Sequence, residues 1–359
     1  MASTLKESAH GGDIYAQKNK DKILDFSINT SPLGFPESIK SAIINSIDSF
    51  DRYPDINCRE LKDALANFYS LPKEHFFIGN GAGEVIFSLC HGARFKNALV
   101  VSPSFSEYIK ALRANECHIK SHVLRENDGF ALTSSILREI TPDIDAVFIC
   151  NPNNPTGMLT DKSLLINILD KCMDVGAFLI LDECFLDFTN NEESLSLLSL
   201  TKNYSNLFII KAFTKIYSVA GLRLGFGVCS NLHLLKNMEF VTPPWNVSSV
   251  AQLAGAVALE DKEYKQKAIS LIQREKPLLE NALRELGFIV YNSSANFIFF
   301  KSKENCPNLK EELLKRDILI RSCSNYEGLE DSHRFFRACV RNNEDNKRLI
   351  SALKEVIES

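Results

Sequence analysis

The chain lacks the spacings that announce a metal or nucleotide site. Its ten cysteines are scattered singly from Cys58 to Cys339, with no CxxC pair and no Cys/His cluster at zinc spacing. No metal is therefore expected. Several cysteines sit inside apolar runs, Cys150 after "AVFI" and Cys229 after "GFGV", where a reduced thiol packs as a small hydrophobe; this points to a reducing cytoplasm. The N-terminus carries no apolar leader, and no run approaches the roughly 18 apolar residues of a membrane span. Net charge is −4, which argues against a nucleic-acid or membrane surface. No GK[ST] follows the glycine-rich stretch, and its glycines are not spaced GxGxxG, so a nucleotide is not implied. Low-complexity linkers, charge blocks and internal repeats are also missing.

What is present is an alternation. Between about residues 60 and 230, helical stretches separate short runs of Val, Ile, Leu and Phe: "NALVV" (97–101), "AVFIC" (146–150), "FLILD" (178–182), "LFII" (207–210) and "LGFGV" (224–228). Such runs suit central strands covered on both faces, and the spacing is that of βαβ crossovers. The expected fold is α/β, a mostly parallel central sheet with helices on both faces. After about residue 250 one long helical tract leads to Gly287 as its stop, then "FIVY", "NFIFF", "NLKEELLKR", "ILIRS", "FFRACV" and a final helix, the texture of a smaller α+β domain. The division expected is an N-terminal segment 1–40 packed on the small domain and the active site, a large domain 41–250 and a small domain 251–359.

The polar residues that stand out follow strand ends, where ligands of open α/β sheets lie. "SPSFSEY" follows the first run, "NPNNPTG" the second, "DECF" the third and "KAFTK" the fourth. Asp182 ends an apolar strand; it is either a helix cap or the partner of a protonated ring nitrogen. "FFIGNGAGEVIF" (76–87) sets three glycines before a helical pattern, which suits an anion held by backbone N–H groups. Lys215, its charge suppressed, is suited to bond a cofactor aldehyde, and Arg223, between Gly221 and Gly225, is suited to a phosphate. Together these describe pyridoxal 5′-phosphate binding.

The pattern TK-x₇-R with "DECF", "NPNNPTG" and "DRYPD" (51–55) resembles the fold-type-I pyridoxal-phosphate enzymes of the aminotransferase superfamily, over nearly the whole chain. "HGGDI", "LDFSINTSPLG", "LRENDGFALT", "LDECFLDF", "GLRLGF" and "ILIRSCSNYEGL" extend the likeness to the threonine-phosphate decarboxylases of cobalamin biosynthesis; the histidinol-phosphate aminotransferases share the cofactor motifs. The resemblance implies that Lys215 carries the cofactor and shuttles protons, and that Asp182 pairs with the ring nitrogen. Asn154 would bond the ring hydroxyl oxygen. Gly81, Ala82, Gly83, Thr214 and Arg223 would hold the phosphate. Phe105 would stack on the ring with Tyr108 near, and Tyr53 would reach the partner's cofactor in a homodimer. Arg337 would bind the substrate carboxylate. His10, Gly11, Asn29 and Arg321 would close over a substrate phosphate, with Asn154 also facing substrate. Arg334 and Arg341 add further cationic side chains nearby.

Phe185 stands three residues after Asp182, where many aminotransferases have Tyr; Ala212 stands three before Lys215, where a hydroxyl residue is common. Both are departures, and the first matches the decarboxylases. The function expected is decarboxylation of an O-phosphorylated hydroxy-amino acid, threonine O-3-phosphate or serine O-phosphate. An aminotransferase acting on histidinol phosphate with 2-oxoglutarate is the alternative. A non-catalytic sensor would need a DNA-binding module, for which there is no spare segment.

Overall fold

The computed structural model describes residues 11–17, 19–304, 306, 308–329 and 332–358. Seven strands form the main sheet: β1 (Phe76–Gly79), β2 (Asn97–Ser102), β3 (His118–Val123), β4 (Ala146–Cys150), β5 (Phe178–Asp182), β6 (Leu207–Ala212) and β7 (Gly225–Val228). Their order is β1-β7-β6-β5-β4-β2-β3. Neighbours from β3 through β6 pair in parallel, and β7 runs antiparallel to both β1 and β6. Every residue of β4 is buried, as the unbroken apolar run requires of a strand covered on both faces.

All five apolar runs form strands, and two more join them. β1 lies inside the stretch read as a glycine-rich helix start. β3, "HIKSHV", is the edge strand; only one of its six residues is buried, so its polar sequence carries no apolar run. β6 continues two residues beyond "LFII", to Ala212.

Beyond residue 250 the long helical tract is two helices, α1 (Ser249–Glu260) and α2 (Lys262–Glu285). Asp261 divides them: its side chain accepts the Tyr264 N–H and caps the second helix. Gly287, at φ +81°, ends that helix. A second sheet joins β8 (Ile289–Val290), β9 (Phe297–Lys301), β10 (Arg321–Ser322) and β11 (Phe335–Cys339) in the order β10-β11-β9-β8. The stretch "ILIRS" is split. Ile318–Leu319 pairs in parallel with Leu24–Asp25, while Arg321–Ser322 pairs with β11. The N-terminal segment is thus tied to the C-terminal part by backbone pairing, and Ser31 N–H reaches the carbonyl of Lys215 at 2.8 Å. No helix among the described residues is long and apolar enough to cross a membrane.

Candidate active site

A cleft of about 390 Å³ opens beyond the carboxyl ends of β4, β5 and β6. Among the residues expected at the site, Gly11, Asn29, Ala82, Gly83, Phe105, Asn154, Asp182, Phe185, Thr214, Lys215, Arg223, Arg321 and Arg337 line it. The ends of β2, β4, β5 and β6 deliver Phe105, Asn154, Asp182, Phe185, Thr214 and Lys215, and the N-terminal segment, the helix start after β1, the stretch before β7 and the second sheet supply the rest.

One end of the cleft is a cradle for an anion. The helix Gly81–Ala93 begins there without a side-chain cap, and Ala82 and Gly83 face the space. Gly81 does not line the cleft; it lies beneath Arg223. A Cβ on it would stand 2.6 Å from the guanidinium, and its φ of +83° also demands glycine. Gly225 serves the same approach, since a Cβ there would meet the Ala82 nitrogen at 2.5 Å. Arg223 itself adopts the left-handed conformation, φ 57°, a conformation uncommon outside glycine and typical of functional sites. Thr214 stands beside it, its hydroxyl donating to the Leu224 carbonyl at 3.5 Å.

Lys215 occupies the short helix Phe213–Ile216 directly after β6. Burial, then the charge of Arg337, pull its amine down to about 8, with Cys184 opposing, Arg223 adding and Asp182 opposing. A neutral amine is what bonding to an aldehyde requires. The Phe185 ring lies 5.7 Å from its nitrogen and packs edge-on against Phe297 at 5.1 Å. Phe185 brings no hydroxyl to this wall.

Asp182 ends β5 almost completely buried. Its Oδ1 accepts the Cys184 N–H at 2.9 Å, and its Oδ2 accepts the Tyr108 hydroxyl at 2.5 Å. Tyr108 therefore sits behind the aspartate and is absent from the cleft lining, while Phe105, three residues earlier, faces the cleft. A carboxylate at a strand end, beside an anion cradle and a lysine that loses its proton more readily than usual, fits pyridoxal 5′-phosphate. Asp182 would hold its ring nitrogen, the cradle its phosphate and Lys215 its aldehyde carbon.

On the substrate side Arg337 projects from β11. It donates to the Asn154 amide oxygen and, at 2.8 Å, to the Ser27 carbonyl; among the described residues its Nε is buried without a partner. Asn29 Oδ1 is likewise buried and unpartnered among them. Arg321 donates to Asn325 at 2.6 Å and stacks over Tyr326 at 5.4 Å. Arg334 donates to the Ser302 carbonyl, and Arg341 to Asp345 and the Asp25 carbonyl; neither lines the cleft. His10 lies outside the described residues. Tyr53 is 80% exposed against Trp245 and does not line this chain's cleft.

Ser27, Ile28, Glu107, Cys150, Cys184 and Tyr326 line the cleft without having been singled out from the sequence. Cys184 had an available signal, since it lies between Asp182 and Phe185 in the turn after β5. Ser27 and Tyr326 fall within the stretches that carry the decarboxylase likeness.

Comparison with known proteins agrees with this geometry. The model of the family "Aminotransferase class I and II" matches residues 21–353. Threonine-phosphate decarboxylase of Salmonella typhimurium is 38% identical over 98% of this chain and 98% of its own. The crystal structure of a histidinol-phosphate aminotransferase from Clostridium acetobutylicum superposes with a TM-score of 0.87 at 34% identity, covering 94% of this chain and 99% of that one. That of L-threonine-O-3-phosphate decarboxylase from Porphyromonas gingivalis gives 0.82 at 26% identity, covering 93% and 99%. With the family model spanning nearly its full length and a relative alike from end to end, the chain belongs to the aminotransferase class I and II family.

Proposed function

We propose that this chain is a pyridoxal 5′-phosphate-dependent decarboxylase of L-threonine O-3-phosphate, releasing CO₂ and 1-aminopropan-2-ol phosphate for the nucleotide loop of a cobamide. The observation that carries the reading is the 38% identity to a threonine-phosphate decarboxylase over 98% of both chains. The site agrees. When bound, the cofactor supplies an electron sink for the pair released as the carboxylate leaves Cα. The chain supplies orientation. Arg337, held by Asn154 and Ser27, lines the cleft and would bind the substrate carboxylate through its guanidinium. Arg321, the direct cross-strand partner of Arg337, lines the cleft beside it and would take the phosphate. Two cationic anchors fix which Cα bond stands across the ring, and that orientation selects decarboxylation over proton loss. Lys215 in its protonated form, or a group near it, would return a proton to Cα; a value of about 8 lets the amine both carry and release one.

The wider reading includes a homodimer in which Tyr53 completes the partner's site, a cytoplasmic setting in keeping with its unpaired cysteines, and the three-part division at residues 40 and 250. Serine O-phosphate lacks one methyl, which an apolar wall distinguishes by only about 1–3 kcal/mol, so it is a second substrate under this proposal. The likeness to a histidinol-phosphate aminotransferase structure keeps amino transfer as the competing reading. Mass spectrometry of products from threonine phosphate, serine phosphate and histidinol phosphate, with and without 2-oxoglutarate, separates them. Loss of CO₂ without the oxo acid is expected; conversion of histidinol phosphate alone, dependent on 2-oxoglutarate, would overturn the proposal.

A further inference from the structure

We propose that Tyr108 is a positioning residue that holds the Asp182 carboxylate turned toward the cofactor's ring nitrogen. The inference rests on the pyridoxal-phosphate reading above and concerns a residue that does not line the cleft. Asp182 is 5% exposed and Tyr108 1%. A carboxylate so buried needs hydrogen-bond donors on its oxygens. The chain provides two, the Cys184 N–H to Oδ1 at 2.9 Å and the Tyr108 hydroxyl to Oδ2 at 2.5 Å. With one donor on each oxygen the carboxylate plane cannot turn freely.

The phenol is held in place by aromatic packing, with Phe148 and Phe105 each 5.7 Å away between ring centroids. Burial, then the Asp182 charge, push its ionisation well above the ordinary tyrosine value, so the hydroxyl keeps its proton and remains a donor. Phenylalanine would fill the same volume and make the same ring contacts. The hydroxyl thus has a separable role, which is to face Asp182. The carboxylate's hold on a ring N–H⁺ depends on its being correctly turned, and Tyr108 supplies that condition without touching the cofactor.

The test is Tyr108→Phe in the cofactor-loaded protein, with Asp182→Asn and the double variant beside it. A hydrogen bond to a charged group is worth about 1.5–3 kcal/mol. Pyridoxal phosphate should therefore be held at least about tenfold more weakly by Tyr108→Phe, as read from cofactor absorbance on dilution. In the Asp182→Asn background the same change should have little further effect on cofactor retention. The thermal midpoint of the cofactor-free protein should stay within a few degrees of wild type. A Tyr108→Phe variant that keeps wild-type cofactor retention would overturn the proposal alone. Losses that persist undiminished in the Asp182→Asn background would also overturn it. Wild-type protein that takes up no pyridoxal phosphate would overturn the cofactor reading and this inference together.

Discussion

Lys215 and Arg337 carry the sharpest expectations at the scale of single residues. Lys215→Ala should abolish decarboxylation and leave the protein without a covalently held cofactor, so that dialysis strips the absorbance that wild type retains. Its amine, lowered to about 8 by burial first and Arg337 next, predicts that cofactor uptake by the empty protein accelerates with pH, with a midpoint near that value. Arg337→Gln removes a like charge and should raise the midpoint. It should also lower kcat/KM about 10- to 100-fold, the worth of a hydrogen bond to a charged carboxylate. The sign for stability follows from linkage. Lys215 has a lower value in the folded than in the unfolded chain, where it is about 10.4. Between the two the unfolded chain binds the extra proton, so the cofactor-free protein gains stability as pH rises from about 8 toward that value. Urea unfolding of the cofactor-free protein across this range measures it.

At the scale of elements, β6 does two jobs with successive residues. Ala212 faces the cleft, and Lys211 points the other way, 2% exposed. Lys211 pairs with Asp187 and Glu192, and Lys265 of α2 joins both acids at 2.6 and 2.5 Å. Burial pulls the Lys211 amine down, but the charges of Asp187 and Glu192 outweigh it and hold the amine well above the usual lysine value. This cluster ties the strand that delivers Lys215 to the segment that follows Asp182 and to α2. Lys211→Met leaves two buried carboxylates with one cation, and should destabilise by about 3–5 kcal/mol. Adding Glu192→Gln should recover part of that loss, because the remaining charges then balance one to one; chemical unfolding of both variants checks it. The lysine that ends "LFII" is thus an ion-pair residue outside the cleft, and the one four positions later is the candidate for chemistry.

At the scale of the whole molecule, Tyr53 has no place in its own cleft. If it completes the partner's site, Tyr53→Ala and Lys215→Ala are each defective alone, yet mixed dimers contain one site with Lys215 and an intact partner Tyr53. Mixing the two after mild dissociation should restore activity that neither shows. Mixtures that stay inactive while remaining dimeric would count against the shared site.

How much of this was legible in advance depended on whether the signal was local. The five apolar runs became strands because a strand buried on both faces must be apolar at every position, and "AVFIC" meets that demand. The edge strand "HIKSHV" escaped because an edge can be polar. The division of the long helical tract rested on one capping aspartate, Asp261, inside an otherwise helical composition. "ILIRS" reads as one strand, yet its two halves join different partners, and only long-range pairing decides that. Lys215, Asp182 and the glycine-led helix could be named from the sequence because each stands at or just after a strand end, and Arg223 because it sits between glycines just before one; each carries a residue type dictated by cofactor chemistry. That Tyr108 turns to Asp182 while Phe105 faces the cleft depends on which side of a helix start meets β5. That Arg337 rather than Arg341 enters the cleft depends on where β11 ends. Residue types and their order along the chain thus determined the cofactor class and the sheet. Direction, partner and distance were decided by tertiary packing, because they arise only when segments far apart in the chain are pressed together.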